Sequence, residues 1–375
     1  MEKKEHAIRI GARLRTARQR AHMTQQELAR AMGLRHRQTL VSIEAGERRL
    51  TAEELLRAMG VLHTEADYFT DSFRLVGEGR FSFRTYADVD PGVLEAFEDR
   101  AGRWAAAYRE LGIQQGEGPR WVERKLAVTE HSSYEDTQAA ADALREEWAL
   151  GSPPAPSVQS AMERRLGTLV LYVDAPPGVS GAALQVQGLN AVLVNRREPE
   201  GRRNYDLAQE LFHLLTWDAL PPDRLDMVEP VGNRKRKRVE QLANSFAAAL
   251  LMPEGVMRER WEKRPVATDL QEWVVQTAED LQVSASACMW RLRNLDCLSQ
   301  REAAQSDARR LATNARAPET KPPVPRFSEP FITRIARGLD MGRLSARRAA
   351  SLLGLSLPEL HKLLRARDID PSFEV

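Results

Sequence analysis

Cysteine is scarce in this chain. Its 375 residues include two, Cys288 and Cys297. Neither sits in a C-x-x-C pair, so both are expected as ordinary helix residues of a protein in a reducing, cytoplasmic compartment. Long apolar runs are missing as well. No uninterrupted stretch approaches the roughly 20 residues that a membrane helix needs, so no membrane partner is expected. The apolar content of 42% is nonetheless ample for globular cores, and the length allows two to three domains. A leader is not expected either, because Met1-Glu2-Lys3-Lys4-Glu5-His6 is charged and precedes an amphipathic segment. Net charge is only +2, but it is uneven. From Met1 to Leu62, 13 Lys+Arg stand against 7 Asp+Glu, a surplus that suits a polyanionic partner.

The pattern beneath that surplus is helical. Ile8 to Ala21 reads as a first helix, with Ile10, Leu14 and Ala17 on one face. Thr24-Gln25-Gln26-Glu27 is a capping box that opens a second helix, and Gly33 ends it. After a short turn, Gln38 to Glu44 forms a third helix, with Leu40, Val41 and Ile43 apolar. Glu53 to Met59 supplies a fourth. Thr24 to Ala29 and Ile43-Glu44-Ala45-Gly46-Glu47-Arg48 resemble the Xre/Cro class of helix-turn-helix domains. The resemblance implies that the third helix enters the major groove by its N-terminal turn. Arg37, Gln38, Thr39 and Ser42 would then meet base edges, while Gln25 matches a phosphate-contacting glutamine.

The middle of the chain changes character. Tyr68 to Arg84 reads as a connector broken by Gly77 and Gly79. Helices are expected over Pro91–Leu111 and Tyr134–Trp148. Strands are expected at Thr168–Val173 and Ala191–Asn195, with Val179-Ser180-Gly181 between them. The expected fold is therefore mainly α with a small β-sheet, an α+β arrangement. The next helix, Tyr205 to Leu215, carries Gln209, Glu210 and His213. Gln209 and His213 are four apart and share a face. A zincin helix reads H-E-x-x-H, with two zinc-binding histidines and a glutamate that activates water. This chain reads Q-E-x-x-H, and Glu240 to Pro253 is a companion helix able to supply a further ligand.

Glu146-Glu147-Trp148, Ser180-Gly181, Asn190 to Asn195, Gln209 to His213 and Glu240 to Pro253 together resemble the ImmA/IrrE family of zinc-peptidase-like proteins. Leu281 to Ser284 and Trp290 to Leu292 extend the likeness. It implies that His213 and Glu240 are metal ligands and that Glu210 is a catalytic general base. Gln209 departs from the first ligand position. An amide oxygen is a poor zinc donor beside imidazole, so zinc is expected to bind weakly or not at all. Gln209 then admits three readings: a pseudoenzyme that kept the peptidase fold, a peptidase with weakened metal binding, or an introduced substitution in a true peptidase.

Arg234 to Arg238 are five consecutive cations, read as a solvated loop or as phosphate contacts. Gln305 to Pro325 reads as a linker. Beyond it come three short helices at Phe331–Leu339, Ser345–Gly354 and Pro358–Arg365, as a further DNA-binding unit, a helical cap or a dimer contact. The expected domains are 1–66 for DNA binding, 67–135 as helical connector, 136–300 as the peptidase-like domain, 301–326 as linker and 327–375 as a C-terminal helical unit. The expected function is a sequence-specific transcriptional regulator that binds a double-stranded operator as a homodimer. Its peptidase-like domain would sense a small-molecule effector or a partner, or support dimerisation, in stress or phage-related control. The competing expectation is a zinc metallopeptidase that cleaves a repressor protein, with Glu210 as base.

Overall fold

The computed structural model describes residues 2–77, 79–85, 88–118, 122, 124–221, 225–227, 234–265, 268–299, 301–302, 311, 324–371 and 373–374. The linker expected over Gln305 to Pro325 lies almost wholly outside the described residues.

Five helices open the chain: α1 (Glu2–Arg20), α2 (Gln25–Ala31), α3 (Arg37–Glu44), α4 (Ala52–Leu62) and α5 (Ala66–Thr70). α1 begins six residues earlier than its apolar face suggested. Thr24 caps α2 reciprocally with Glu27, as the capping box predicts. Gly33, at φ +69°, takes the left-handed conformation that ends the helix. Leu14, Leu28, Met32, Leu40, Ile43 and Ala58 close a small core of their own. Buried Arg13 ties α1 to α5 and the segment after it by donating to the Tyr68, Phe69 and Arg74 carbonyls.

The expected connector contains a strand. β1 (Arg80–Thr85) pairs antiparallel with β3 (Val179–Val186) and parallel with β5 (Leu225–Met227). With β2 (Leu169–Val173) and β4 (Leu189–Asn195) they make one mixed sheet, in the order β2-β4-β3-β1-β5. The α+β class expected from the sequence is what the chain adopts. β3 was legible only at its first three residues. It is buried along nearly its whole length, so it shows a continuous small-and-apolar run rather than alternation.

Each face of the sheet carries a helical layer. On one side lie α7 (Tyr134–Trp148), α8 (Ala155–Ala161, continued by one π turn), α9 (Glu200–Thr216), α10 (Arg234–Leu251), α11 (Glu254–Glu262), α12 (Leu270–Leu281) and α13 (Ala285–Asn294). On the other lie α6 (Pro91–Gln114) and the three C-terminal helices α14 (Glu329–Asp340), α15 (Ala346–Leu353) and α16 (Leu357–Arg365). The C-terminal unit is thus a cap on the sheet. Its apolar residues Phe331, Ile335, Leu353 and Leu360 pack into the core of the sheet and α6. Trp104 Nε1 donates to the Leu352 carbonyl at 2.9 Å. The basic run Arg234 to Arg238 heads α10 and is helical rather than a loop. The side chains of residues 234–237 lie outside the described set.

Candidate functional sites

The first site is the surface of α3. Arg37 and Gln38 are exposed in its first turn, and Thr39 and Ser42 are half-buried beside them. Gln25, in the first turn of α2, accepts from Arg37 Nη2 at 2.9 Å. The amide of Gln25 donates in turn to Glu44 at 2.9 Å. Arg18 completes the network with two bonds to the buried Glu44 carboxylate, at 2.7 and 3.1 Å. Glutamate at the end of α3 therefore orients glutamine at the start of α2, which orients the arginine at the head of α3. All five candidate DNA-binding residues lie on the paired helices α2 and α3, and two of them touch directly.

The second site lies between the sheet and α9. From Asp206 to Thr216 every residue of α9 is buried, because the helix is held between the sheet and α10. That burial forces its polar residues to find partners inside the protein. Gln209, Glu210, His213 and Glu240 are each at most 6% exposed; the Q-E-x-x-H spacing puts Gln209 and His213 on one face of α9, and α10 brings Glu240 beside them. His213 Nε2 lies 3.3 Å from Glu240 Oε1.

The group at the centre of this constellation was not foreseen. Arg84, itself 4% exposed, projects from β1 into the cage. Its Nε donates to Glu210 Oε1 at 3.1 Å, and its Nη1 donates to Gln209 Oε1. Glu240 Oε2 lies 3.8 Å from Nη1, and Nη2 lies 3.2 Å from His213 Nε2. Gln209 spends its other amide atom on Asn244, donating to Oδ1 at 2.6 Å. The sequence did hold a signal for this residue. In Arg80-Phe81-Ser82-Phe83-Arg84-Thr85 apolar and polar residues alternate with the period of a strand. Phe81 and Phe83 stack on the α6 side, at 5.6 Å between centroids. Arg84 is thereby turned to the opposite face, toward α9. Across the pairing lies Gly181, where a Cβ would meet the Leu193 carbonyl oxygen of β4 at 2.9 Å and lie 3.9 Å from Glu210 Oε1.

The electrostatics are those of a closed ion cluster. Burial alone would lower the Arg84 pKa, but the carboxylates of Glu240, Glu210 and Asp206 outweigh it and hold the guanidinium charged. Burial likewise disfavours a charged His213, yet Glu240 beside it raises the imidazole above its ordinary value. Its Nε2 proton is best assigned to Glu240, which makes Arg84 Nη2 a neighbour rather than a donor. Asp206 is the exception in the cluster. Its Oδ2 is buried without a hydrogen-bond partner, and the nearest cation, Arg202 Nε, is 3.9 Å away. Burial pushes its carboxyl up to about 7.

These residues do not fit a divalent metal ion. A zinc site needs unencumbered lone pairs that converge on one point. Here the acceptors converge on a guanidinium, and an amide stands where an imidazole would. Beside the cage opens a cleft of about 960 Å³, lined by Arg84, Asp206, Gln209, Glu240, Tyr134 and Trp290 among others.

Residues 14–69 match a family model described as helix-turn-helix, and residues 163–293 match one described as IrrE N-terminal-like domain. Over 162 residues the chain is 33% identical to the radiation response metalloprotease IrrE of Deinococcus radiodurans, covering 37% of this chain and 48% of that protein. The chain thus spans about half the length of this curated relative.

Proposed function

Because the chain joins an Xre-like helix-turn-helix domain to an IrrE/ImmA-like domain, we propose that it is a sequence-specific DNA-binding transcriptional regulator whose peptidase-like domain does not cut. On this reading residues 1–66 bind an operator. The sheet with its two helical layers receives a signal or a partner, or supports the homodimer that a two-fold operator calls for. The observation that carries the DNA-binding half is the exposed Arg37-Gln38 turn of α3, with Arg37 fixed from behind by Gln25. Arg and Gln in that position suit bidentate contacts to guanine and adenine edges.

The test is a mobility shift with the DNA upstream of the chain's own gene. Arg37→Ala and Gln38→Ala should each lower specific affinity by about 1–3 kcal/mol, roughly 5- to 150-fold, and relax preference at one base pair. Unchanged sequence preference in both variants would mean that α3 is not the reading helix.

The competing reading, a zinc metallopeptidase acting on a repressor, draws on the likeness to a metalloprotease. It asks Glu210 to take a proton from water. Glu210 Oε1 instead accepts from Arg84 at 3.1 Å, so that oxygen is turned to a guanidinium rather than to a water. Repressor cleavage by the purified full chain supplied with zinc would decide for the peptidase.

A further inference from the structure

We infer that Arg84 is the resident cation of the peptidase-like domain: its guanidinium stands where a metal ion would be held, and Gln209 is the residue that seats it. The inference deepens the non-proteolytic reading above and rests on it, but its test reads metal content rather than DNA.

The argument begins with two buried carboxylates, Glu210 and Glu240, 3% and 6% exposed. Buried anions at such close quarters need a cation among them. In a metallopeptidase helix the metal supplies it. Here the supply is covalent, since β1 delivers Arg84 from a position 126 residues away in sequence from Glu210. A guanidinium is planar and carries five N–H donors, so it meets several acceptors at once, as a metal does. Arg84 engages Glu210 through Nε and Gln209 through Nη1, with Glu240 Oε2 at 3.8 Å.

The amide at 209 is matched to this arrangement. Gln209 offers an acceptor to Arg84 and a donor to Asn244, so both ends of the side chain are used. Residues 84 and 209 are therefore a pair, and neither change alone should reopen the site. The backbone supports the placement, since Ser180 Oγ donates to the Arg84 carbonyl at 3.4 Å.

The experiment loads the full chain and three variants with zinc or cobalt(II) alone, removes excess metal by dialysis, and measures bound metal, the visible absorption of bound cobalt, and the thermal midpoint. The native chain and Gln209→His are expected to retain less than about a tenth of an ion. Arg84→Ala/Gln209→His is expected to retain about one, with the intense cobalt spectrum of a four-coordinate site. Its midpoint should rise by several degrees or more with metal, as ligand linkage requires. Arg84→Ala alone, with the amide still in place, should bind more weakly than the double variant. If the double variant folds only when metal is added, recovery of its helical signal reads the same way. Near-stoichiometric metal in the native chain or in Gln209→His overturns the inference. So does a double variant that gains neither metal nor helical signal with either ion. Failure of operator binding in the native chain would sink the regulator reading and leave these outcomes unaffected.

Discussion

Two buried acid clusters use the same three residue types and differ in what they leave open. In the helix-turn-helix domain, Glu44 accepts from Arg18 and Gln25, and Gln25 accepts from Arg37, which stays exposed. In the sheet domain, Glu210 and Gln209 accept from Arg84, and every member is buried. The first network ends at solvent and holds the exposed Arg37 side chain in place. The second gathers buried acceptors around one guanidinium at the wall of the cleft. Arginine, glutamate and glutamine thus build a presenting scaffold in one place and a plug in the other. The direction of the last donor decides which.

The contrast predicts unequal costs. Arg84→Met should be the most damaging of the substitutions considered, at about 3–5 kcal/mol in urea unfolding, because it leaves the buried Glu210 carboxylate without its ion-pair partner, while Glu240 keeps His213 at 3.3 Å. Adding Glu210→Gln to Arg84→Met should return part of that loss by removing one stranded charge. A cost under about 1 kcal/mol for Arg84→Met would mean that the cage is open to water and that the plug is misdescribed. Arg18→Met should cost less, about 1–3 kcal/mol. Glu44 keeps Gln25 at 2.9 Å and Arg15 at 3.7 Å, so it is never left alone. If the two substitutions cost the same, the distinction between a sealed and an open cluster fails.

The two clusters also differed in legibility. The helices of the helix-turn-helix domain could be read because their determinants are local: a capping box at Thr24 and Glu27, a 3.6-residue apolar period, and a glycine at position 33; the Glu44 network that joins them could not. The shared face of Gln209 and His213 was readable for the same reason, as helix spacing fixes which side chains lie together, while Glu240 came only from the likeness to the ImmA/IrrE family. Arg84 was not readable. Its acceptors Gln209 and Glu210 lie 125 and 126 residues away, and no local rule couples a strand to a helix so remote. The alternation around Phe81 and Phe83 marks the strand and the face of Arg84, but not its neighbour across the sheet. The C-terminal helices were open between cap, dimer contact and DNA binding for a related reason. An amphipathic helix announces an apolar face without naming what covers it. Here the cover is α6 and the sheet.

A third acid sharpens the comparison further. Asp206 is as buried as Glu44, yet where Glu44 has close donors Asp206 has Arg202 Nε at 3.9 Å. Burial therefore dominates, and its carboxyl titrates at about 7 instead of in the ordinary carboxylate range. The folded state then binds a proton that the unfolded chain has already released. That contribution to stability is fully present below about pH 4 and is lost as pH rises through about 7. For one group the slope cannot exceed about 1.4 kcal/mol per pH unit. Asp206→Asn, which stays neutral throughout, should flatten the stability profile by up to that amount between pH 4 and 7. It should also make the variant less sensitive to alkalinity than the native chain. Urea midpoints at half-unit pH intervals measure this directly. Parallel profiles for native and variant would show that Asp206 is ionised in the folded protein.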